Sequence, residues 1–291
     1  MPDDRSAEQL SQVPPRKADS HKGDYGRVLV IGGSRGMAGA PALAGMSALR
    51  SGSGLVAVAT PAVVQPIVAS FEPSYTTHAL GDDRATYLTA DHYNELLKIA
   101  EGCDVVAIGP GLGAKHATAR LVHRLYRRLA KPIVVDADAL NAISELPECI
   151  AAPGGPRVLT PHPGEFARLH GPPGKTDEER SETAAELAAR DGSRQTVVVL
   201  KGNRTVITDG HDYWINQTGN PGMATGGSGD CLTGVIASLI GQGLSPLEAA
   251  RLGAHAHGLA GDLAADELSQ AVLTASDLPR FLGQAFRGLS G

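Results

Sequence analysis

Hydrophobic and polar positions along the chain alternate between short apolar runs and longer segments whose apolar residues recur at helical spacing. Uninterrupted apolar strands are typical of a parallel sheet that helices cover on both faces. The pattern therefore predicts a three-layer α/β/α protein with a central, mostly parallel sheet. The predicted strands lie at 27–34, 54–60, 104–111, 132–138 and 157–165, and the predicted helices between them at 40–50, 63–70 and 118–129.

The second half of the chain departs from this alternation, because three short strands follow one another, at 196–200, 204–208 and 211–216. Asp209 and Gly210 between the last two are typical of a hairpin turn. Apolar spacing then predicts a helix from near Asp230 to 241–243. Ser245 to Glu248 form a capping box with proline at the first helical position, which predicts another helix to about Leu268.

Composition limits the class of protein. The chain has 291 residues, of which 42% are hydrophobic, and its first 20 residues show no periodicity. We expect a flexible N-terminal arm, or an extension that wraps the surface, over 1–20 and a single domain over 21–291. No apolar segment of 18 residues occurs and the N-terminus is polar, which predicts a cytoplasmic protein without a membrane partner.

Charge and cysteine content exclude further classes. The net charge of −5 and the absence of a lysine-rich run argue against a nucleic-acid partner. Cys103, Cys149 and Cys231 are far apart and show no metal-binding spacing. They are expected to be reduced, buried thiols.

The most informative motif is the run TGGSGDCLTG from Thr225 to Gly234. It places glycines before a predicted helix, where free backbone N–H groups and the helix dipole can bind phosphate. Gly226, Gly227, Ser228 and Gly229 are the predicted anion hole. Asp230 is interpreted as a base that the dipole keeps ionised and that activates a substrate hydroxyl. The alternative is that Asp230 caps the helix.

Further candidate groups follow the predicted strands, and ligands of open parallel sheets bind at that edge. The run 32–40 has the spacing GGxxG and lacks the acidic residue of a dinucleotide fingerprint. GPGLG at 109–113 either approaches a ligand or only turns the chain. Asp136, Asp138 and Asn141 offer oxygen atoms for magnesium or a ribose, whereas Asp138 alternatively caps the next helix.

Two more motifs stand at strand ends. His162 lies between two prolines in TPHPGE, which favours a positioned contact. The run LKGNRT at 200–205 can hold the ribose or phosphates of a nucleotide, or it forms a plain hairpin with a solvated Lys201. His255 and His257 lie on opposite sides of the last long helix and receive no role.

Seven segments in the same order closely resemble the ADP-dependent NAD(P)H-hydrate dehydratases of the ribokinase-like superfamily. The resemblance extends from about His21 to Leu263, through HKGDYGRVLVIGGS, GMAGAPALAGMSALRSGSGLV, GPGLG, VVDADALN, LTPHPGEFARL, LKGNRTVI and GNPGMATGGSGDCLTGVI. It implies a ribokinase-like fold and a lyase that removes water from hydrated NADH or NADPH, with ADP converted to AMP and phosphate. In the family, the ring hydroxyl is phosphorylated before the phosphate leaves.

The resemblance also implies the division of the site. Ala40, Gly111, His162 and Asp230 match contacts to the hydrated cofactor, and Asp230 matches the catalytic base. Lys201, Gly202, Asn203, Arg204, Thr205 and Gly229 match contacts to AMP.

Other implications concern cofactors and partners. The family commonly uses Mg²⁺, which Asp136 or Asn141 could position indirectly, and relatives are often homotetramers. Many members carry an N-terminal epimerase domain, so we expect a separate chain to supply that activity. The nearest alternative is a ribokinase-like kinase of a vitamin precursor, and a silent nucleotide-binding module is disfavoured by Asp230.

Overall fold

Residues 2–289 are described by the computed structural model, and within them the strands form one ten-stranded sheet. The strands are β1 (Asp3–Asp4), β2 (Arg27–Ile31), β3 (Leu55–Pro61), β4 (Thr76–Leu80), β5 (Val105–Ile108), β6 (Ile133–Val135), β7 (Arg157–Leu159), β8 (Thr196–Leu200), β9 (Val206–Thr208) and β10 (Asp212–Ile215). Their order in the sheet is β1-β10-β9-β8-β7-β6-β5-β2-β3-β4. Only the pairs β8–β9 and β9–β10 are antiparallel among these strands.

Helices connect the strands and follow the last of them. They are α1 (Gly39–Arg50), α2 (Gln65–Ala69), α3 (Tyr93–Glu101), α4 (His116–Arg128), α5 (Ala137–Ser144), α6 (Pro163–Leu169), α7 (Asp177–Ala189), α8 (Ser228–Gly241), α9 (Pro246–Leu268) and α10 (Leu278–Ala285). Short 3₁₀ turns lie at Lys22–Tyr25, Ala90–His92, Pro147–Cys149, Pro221–Met223 and Phe286–Gly288. None of the helices within residues 2–289 combines the length and the hydropathy that a membrane span requires.

Two hydrophobic cores lie on opposite faces of the sheet. Val28 and Val30 of β2 pack into the core formed with α1, α8, α9 and α10. Leu29 and Ile31 of the same strand pack into the core formed with α3 to α7. Successive strand residues point to opposite faces, so a strand covered on both sides is apolar throughout. The predicted three-layer architecture with a mostly parallel sheet is confirmed.

The structure corrects several element boundaries. Helix α8 begins at Ser228, two residues before the predicted start, and therefore includes Gly229 in its first turn. Strand β4 had no prediction because its sequence TTHAL is largely polar, as an edge strand can be. Helices α3, α6 and α7 also lay outside the predictions, whereas the capping box of Ser245 and Glu248 and the hairpin between β9 and β10 are confirmed.

The N-terminal segment contacts the rest of the chain. Strand β1 pairs in parallel with β10, and the Ser11 hydroxyl donates to the Glu248 carboxylate over 2.8 Å. Further along, the Val13 amide donates to the carbonyl of Leu289. Contacts to the rest of the chain thus occur between Asp3 and Val13, and Met1 lies outside the described residues.

The cysteine prediction is also borne out. Cys103, Cys149 and Cys231 are free and buried. Burial raises the pKa of the Cys231 thiol to about 12, so this thiol is protonated at neutral pH.

Candidate active site

A cavity of about 760 Å³ opens beyond the carboxyl ends of β6, β7 and β8. The start of α8 and the middle of α9 close its other side. This is the edge of an open parallel sheet where ligands bind, as the strand-end motifs predicted. Its volume is that of a small-molecule site. The motif residues on its wall are Asp136, His162, Lys201, Gly202, Asn203, Arg204, Thr205, Gly227, Ser228, Gly229 and Asp230.

Helix α8 presents its uncapped N-terminus to this cavity. Gly227 is its N-cap residue, with a left-handed φ of +98°, and no side chain caps the helix. Gly226 has open space where a side chain would lie. Asp230 is the third helical residue, so the interpretation of Asp230 as the helix cap is wrong. The Ser228 amide donates to the Thr225 carbonyl over 3.4 Å, and the amides of Gly229 and Asp230 are left for an anion.

Three ionisable side chains, those of Lys201, Asp136 and Glu165, converge beside this helix start. The Lys201 ammonium donates to Asp136 Oδ1 over 2.6 Å and lies 3.9 Å from Glu165 Oε2. A Cβ atom on Gly229 would lie 2.9 Å from Lys201 Nζ, which places the ammonium at the first turn of α8. The interpretation of Lys201 as a solvated hairpin residue is therefore wrong.

The carboxylate of Asp136 is occupied by protein groups. Besides Lys201, it accepts a hydrogen bond of 2.8 Å from the Thr233 hydroxyl, and the residue is 1% exposed. Burial would raise the pKa of Asp136, but the Lys201 charge and these hydrogen bonds lower it below the usual value. Burial would likewise lower the pKa of Lys201, but Asp136 and Glu165 raise it. Asp136 and Lys201 thus form a buried ion pair.

Asp230 titrates differently from Asp136. Burial, followed by the negative charge of Asp136, raises the pKa of Asp230 to about 7, although Lys201 acts in the opposite direction. The expectation that the helix dipole keeps Asp230 ionised omits burial and the Asp136 charge, which favour the protonated form. A carboxyl group with a pKa near 7 is suited to accept a proton at neutral pH.

His162 is the N-cap residue of α6. Its Nδ1 accepts hydrogen bonds from the amides of Gly164 and Glu165, at 3.0 and 3.3 Å, and Glu165 Oε2 accepts one from the His162 amide. This reciprocal arrangement is a capping box. The His162 ring is therefore held against the start of α6, and its role toward a ligand stays a prediction. Nε2 of this half-exposed ring is left for a ligand or for Glu165 Oε1, 3.4 Å away.

The segment 201–205 is held in place by a partly buried arginine from α7. Arg180 donates to the backbone carbonyls of Asn203 and Arg204, both over 3.0 Å. Arg204 has a left-handed φ of +57° and pairs with Asp177 over 2.5 Å. A non-glycine residue in this conformation is costly, which is common at binding sites.

Ala40 and Gly111 lie together, but not on the cavity wall. A Cβ atom on Gly111 would lie 3.2 Å from that of Ala40, and Ser34 donates to the Gly111 carbonyl over 2.9 Å. The loops after β2 and β5 meet here, at the point where the strand order reverses. A crevice at such a reversal is a preferred ligand position.

Asp138 and Asn141 lie away from the cavity wall. Asp138 accepts a hydrogen bond of 2.8 Å from the Gly113 amide, and Asn141 accepts one of 2.9 Å from Arg168. Asp136, and not Asp138, is the N-cap residue of α5, so the interpretation of Asp138 as a cap is wrong.

Several cavity residues were missed by the sequence analysis. Glu165 is the N3 residue of the capping box, a spacing that the sequence HPGE contains. His257, which received no role, is 9% exposed, and its Nε2 lies 2.9 Å from the Ser228 carbonyl. The loop from Asn216 to Met223 also lines the cavity and is called the third wall below. Apart from GNPG at 219–222, its sequence has no charged or glycine-rich pattern that would indicate a site.

This third wall is fastened to helix α9. Asp262 accepts hydrogen bonds from the Gly219 amide and the Asn220 side chain, at 2.9 and 3.0 Å. Thr218 donates to the backbone carbonyl of His255 over 2.9 Å, and it packs directly on Gly258. This wall of the cavity is therefore fixed to α9 by hydrogen bonds.

Comparison with known proteins relates the chain to one family. The model of a family described as NAD(P)H-hydrate dehydratase matches residues 28–282. A bifunctional NAD(P)H-hydrate repair enzyme of Moorella thermoacetica is 50% identical over 282 residues, which are 96% of this chain and 52% of that protein. The chain thus spans about half the length of the first curated relatives that it matches.

Other relatives are matched along nearly their whole length. The ADP-dependent (S)-NAD(P)H-hydrate dehydratase of Bacillus subtilis is 38% identical over 278 residues, 94% of either chain. The crystal structure of the ADP/ATP-dependent dehydratase of that organism, co-crystallised with ATP and Mg²⁺, is 35% identical, with a TM-score of 0.79. The alignment covers 96% of this chain and 95% of that one. The predicted ribokinase-like fold is confirmed.

Proposed function

The chain belongs to the NAD(P)H-hydrate dehydratase family, and from this premise we propose that it repairs hydrated nicotinamide cofactors. The proposed reaction is the ADP-dependent dehydration of hydrated NADH or NADPH, with AMP and phosphate as the other products. The observation that carries the proposal is Asp230, a carboxyl group with a pKa of about 7 in the first turn of an uncapped helix that faces the cavity.

The proposed chemistry begins with proton transfer. Asp230 accepts the proton of the ring hydroxyl, whose oxygen attacks the terminal phosphorus of ADP and releases AMP. The N–H groups at the start of α8 bind the transferred phosphoryl group, and Lys201, held by Asp136 over 2.6 Å, neutralises further negative charge. The ring carbon–oxygen bond then breaks, phosphate leaves with its electron pair, and the adjacent ring carbon loses a proton to form the double bond.

The proposed division of the cavity follows its walls. The segment from Lys201 to Thr205, together with Gly229, holds the nucleotide, and the third wall completes that side. His162 and Asp230 contact the hydrated ring from the opposite side. Ala40 and Gly111 lie at the reversal of strand order, where an extended dinucleotide continues beyond the cavity.

The site can accommodate Mg²⁺ that is bound to the phosphates of the nucleotide. Within residues 2–289, no three side chains of ligating type converge on one point. Magnesium commonly binds through phosphates and waters with few carboxylates, and it then neutralises phosphate charge. Glu165 and Asp230 are the carboxyl groups on the wall that could hold its waters, because both oxygens of Asp136 accept protein hydrogen bonds.

The same proposal includes a cytoplasmic location and a homotetramer, both of which stay predictions. The vitamin-precursor kinase is the alternative, since it needs the same base and phosphate-binding helix. The products distinguish the two activities: a kinase accumulates a phosphorylated alcohol, whereas a dehydratase releases free phosphate and reduced cofactor.

Substitution of Asp230 tests the proposal. Asp230→Asn is expected to retain ADP binding and to lower turnover about a hundredfold or more, because a positioned base is lost. Asp266→Asn, an exposed change on α9, is the matched control. Calorimetry measures ADP affinity, and a stopped assay measures phosphate release. Near-normal turnover of Asp230→Asn would remove Asp230 from the mechanism.

A further inference from the structure

The phosphate-binding end of α8 lacks the usual means of fixing a helix start. A capping side chain normally accepts hydrogen bonds from the first N–H groups. Gly227 supplies no such side chain, and Gly226 before it has open space around its Cβ position. A cap on those N–H groups would also compete with a bound phosphate. In place of a side chain, the loop contributes the Thr225 carbonyl, which accepts a hydrogen bond of 3.4 Å from the Ser228 amide. A second contact to the helix start comes from α9.

His257 contacts this helix start through a carbonyl group. Its Nε2 lies 2.9 Å from the Ser228 carbonyl oxygen and 3.4 Å from the Ser228 hydroxyl. Because a carbonyl oxygen only accepts, Nε2 must carry the proton. This bond engages the first residue of α8 through its carbonyl and leaves the amides of Gly229 and Asp230 available.

The imidazole of His257 is neutral. Burial lowers its pKa to about 4, and the charge of Lys201 acts in the same direction, against the hydrogen bond to Ser228. A neutral ring supplies a donor without adding charge beside the phosphate site. Its contribution is therefore to geometry and not to charge neutralisation.

Helix α9, which carries His257, packs closely against its neighbours. A Cβ atom on Gly253 of this helix would lie 2.9 Å from Ile236 Cγ1 of α8, so the two helices pack closely. On the neighbouring position, Gly258 packs against Thr218 of the third wall. The close packing of α9 thus fixes the backbone from which the His257 side chain reaches Ser228.

We propose that His257 is a positioning residue, which holds the Ser228 carbonyl and thereby aims the amide groups of the first turn of α8 at the transferred phosphoryl group. The effect on catalysis rests on the proposed function. The effect on the helix start does not.

Two matched substitutions test this role. The Nε2 of His257→Gln can occupy the position of the imidazole Nε2, whereas the shorter His257→Asn cannot reach it. His257→Asn is expected to lower kcat about 10- to 100-fold with the KM for hydrated cofactor changed less than about threefold, since misplacement of about 1 Å has effects of this size. His257→Gln is expected to stay within about fivefold of the wild-type kcat. His255→Gln on the same helix is the control.

Amide hydrogen exchange provides a readout independent of activity. The amides of 228–230 are expected to exchange faster in His257→Asn than in the wild type and in His257→Gln. Equal kcat and equal exchange in His257→Asn, or equal losses in both variants, would overturn the proposal. If His257→Asn does not fold, the test rests on His257→Gln. This variant keeps a donor at the position of Nε2, so a loss of kcat or of amide protection in it would contradict the positioning role of His257. Absence of dehydratase turnover in the wild type would refute the proposed function, and the exchange rates would then decide alone.

Discussion

Asp230→Asn should stabilise the protein although it lowers turnover. The aspartate pKa rises from 3.8 to about 7 on folding. Between these values the folded state retains a proton that the unfolded state releases, so wild-type stability falls as pH rises through this window. At about 1.4 kcal/mol per pKa unit, the full cost approaches about 4 kcal/mol above pH 7. Asparagine has no such cost.

Thermal unfolding at two pH values measures this effect. The stabilisation of Asp230→Asn over the wild type should be larger at pH 8 than at pH 5 by about 2–3 kcal/mol, or about 5 °C in Tm for a chain of this size. The exposed change Asp266→Asn is the control, with a shift below about 1 °C at both pH values. An equal gain at both pH values, or none, would refute the electrostatic explanation.

Three further predictions concern the same site. The kcat/KM of the wild type should rise with pH along an acidic limb with an apparent pKa of about 7, because Asp230 accepts a proton only when ionised; a limb near 4 would exclude this base. Lys201→Met should lower unfolding free energy by about 3 kcal/mol and weaken ADP binding, since it leaves Asp136 buried without its cation, and unchanged denaturation and calorimetry would contradict the ion pair. Gly227→Ala should cost about 1–3 kcal/mol and lower turnover, because its φ is +98° and the new Cβ would lie 2.6 Å from a leucine carbon. Gly283→Ala in an open helical position is its control, and equal unfolding midpoints for the two would argue against strain.

Sequence pattern predicted the fold well where burial is two-sided. The run RVLVI reads as a strand because both of its faces are covered, and β2 indeed contributes to two cores. Strand β4 was not predicted because an edge strand need not be apolar. Polar segments such as α7, with three acidic residues in its first turn, gave no apolar period to detect.

The sequence indicated which residues belong to the candidate site, but not which of them contact one another. The glycine loop and the strand-end motifs located Asp230, His162 and Lys201 correctly on one cavity. The ion pair between Lys201 and Asp136 could not be predicted from the sequence. The two residues lie 65 positions apart and are brought together only by the order of strands in the sheet. The pKa of Asp230 likewise depends on burial and on neighbours from other strands.

The contact of His257 with Ser228 is the clearest example of one that the sequence does not indicate. Helical spacing correctly separated it from His255, but an isolated histidine on an alanine-rich helix carries no sign of its partner. Its contact with Ser228 joins residues 29 positions apart and arises from the packing of α9 on α8. Such contacts require the three-dimensional arrangement.

The most direct test of the proposed function is a coupled assay with purified protein, hydrated NADPH and either ADP or ATP. Recovery of the near-ultraviolet absorbance of NADPH, dependent on ADP and accompanied by equal amounts of AMP and phosphate, is the predicted result. Failure of the absorbance to recover with either nucleotide would contradict it.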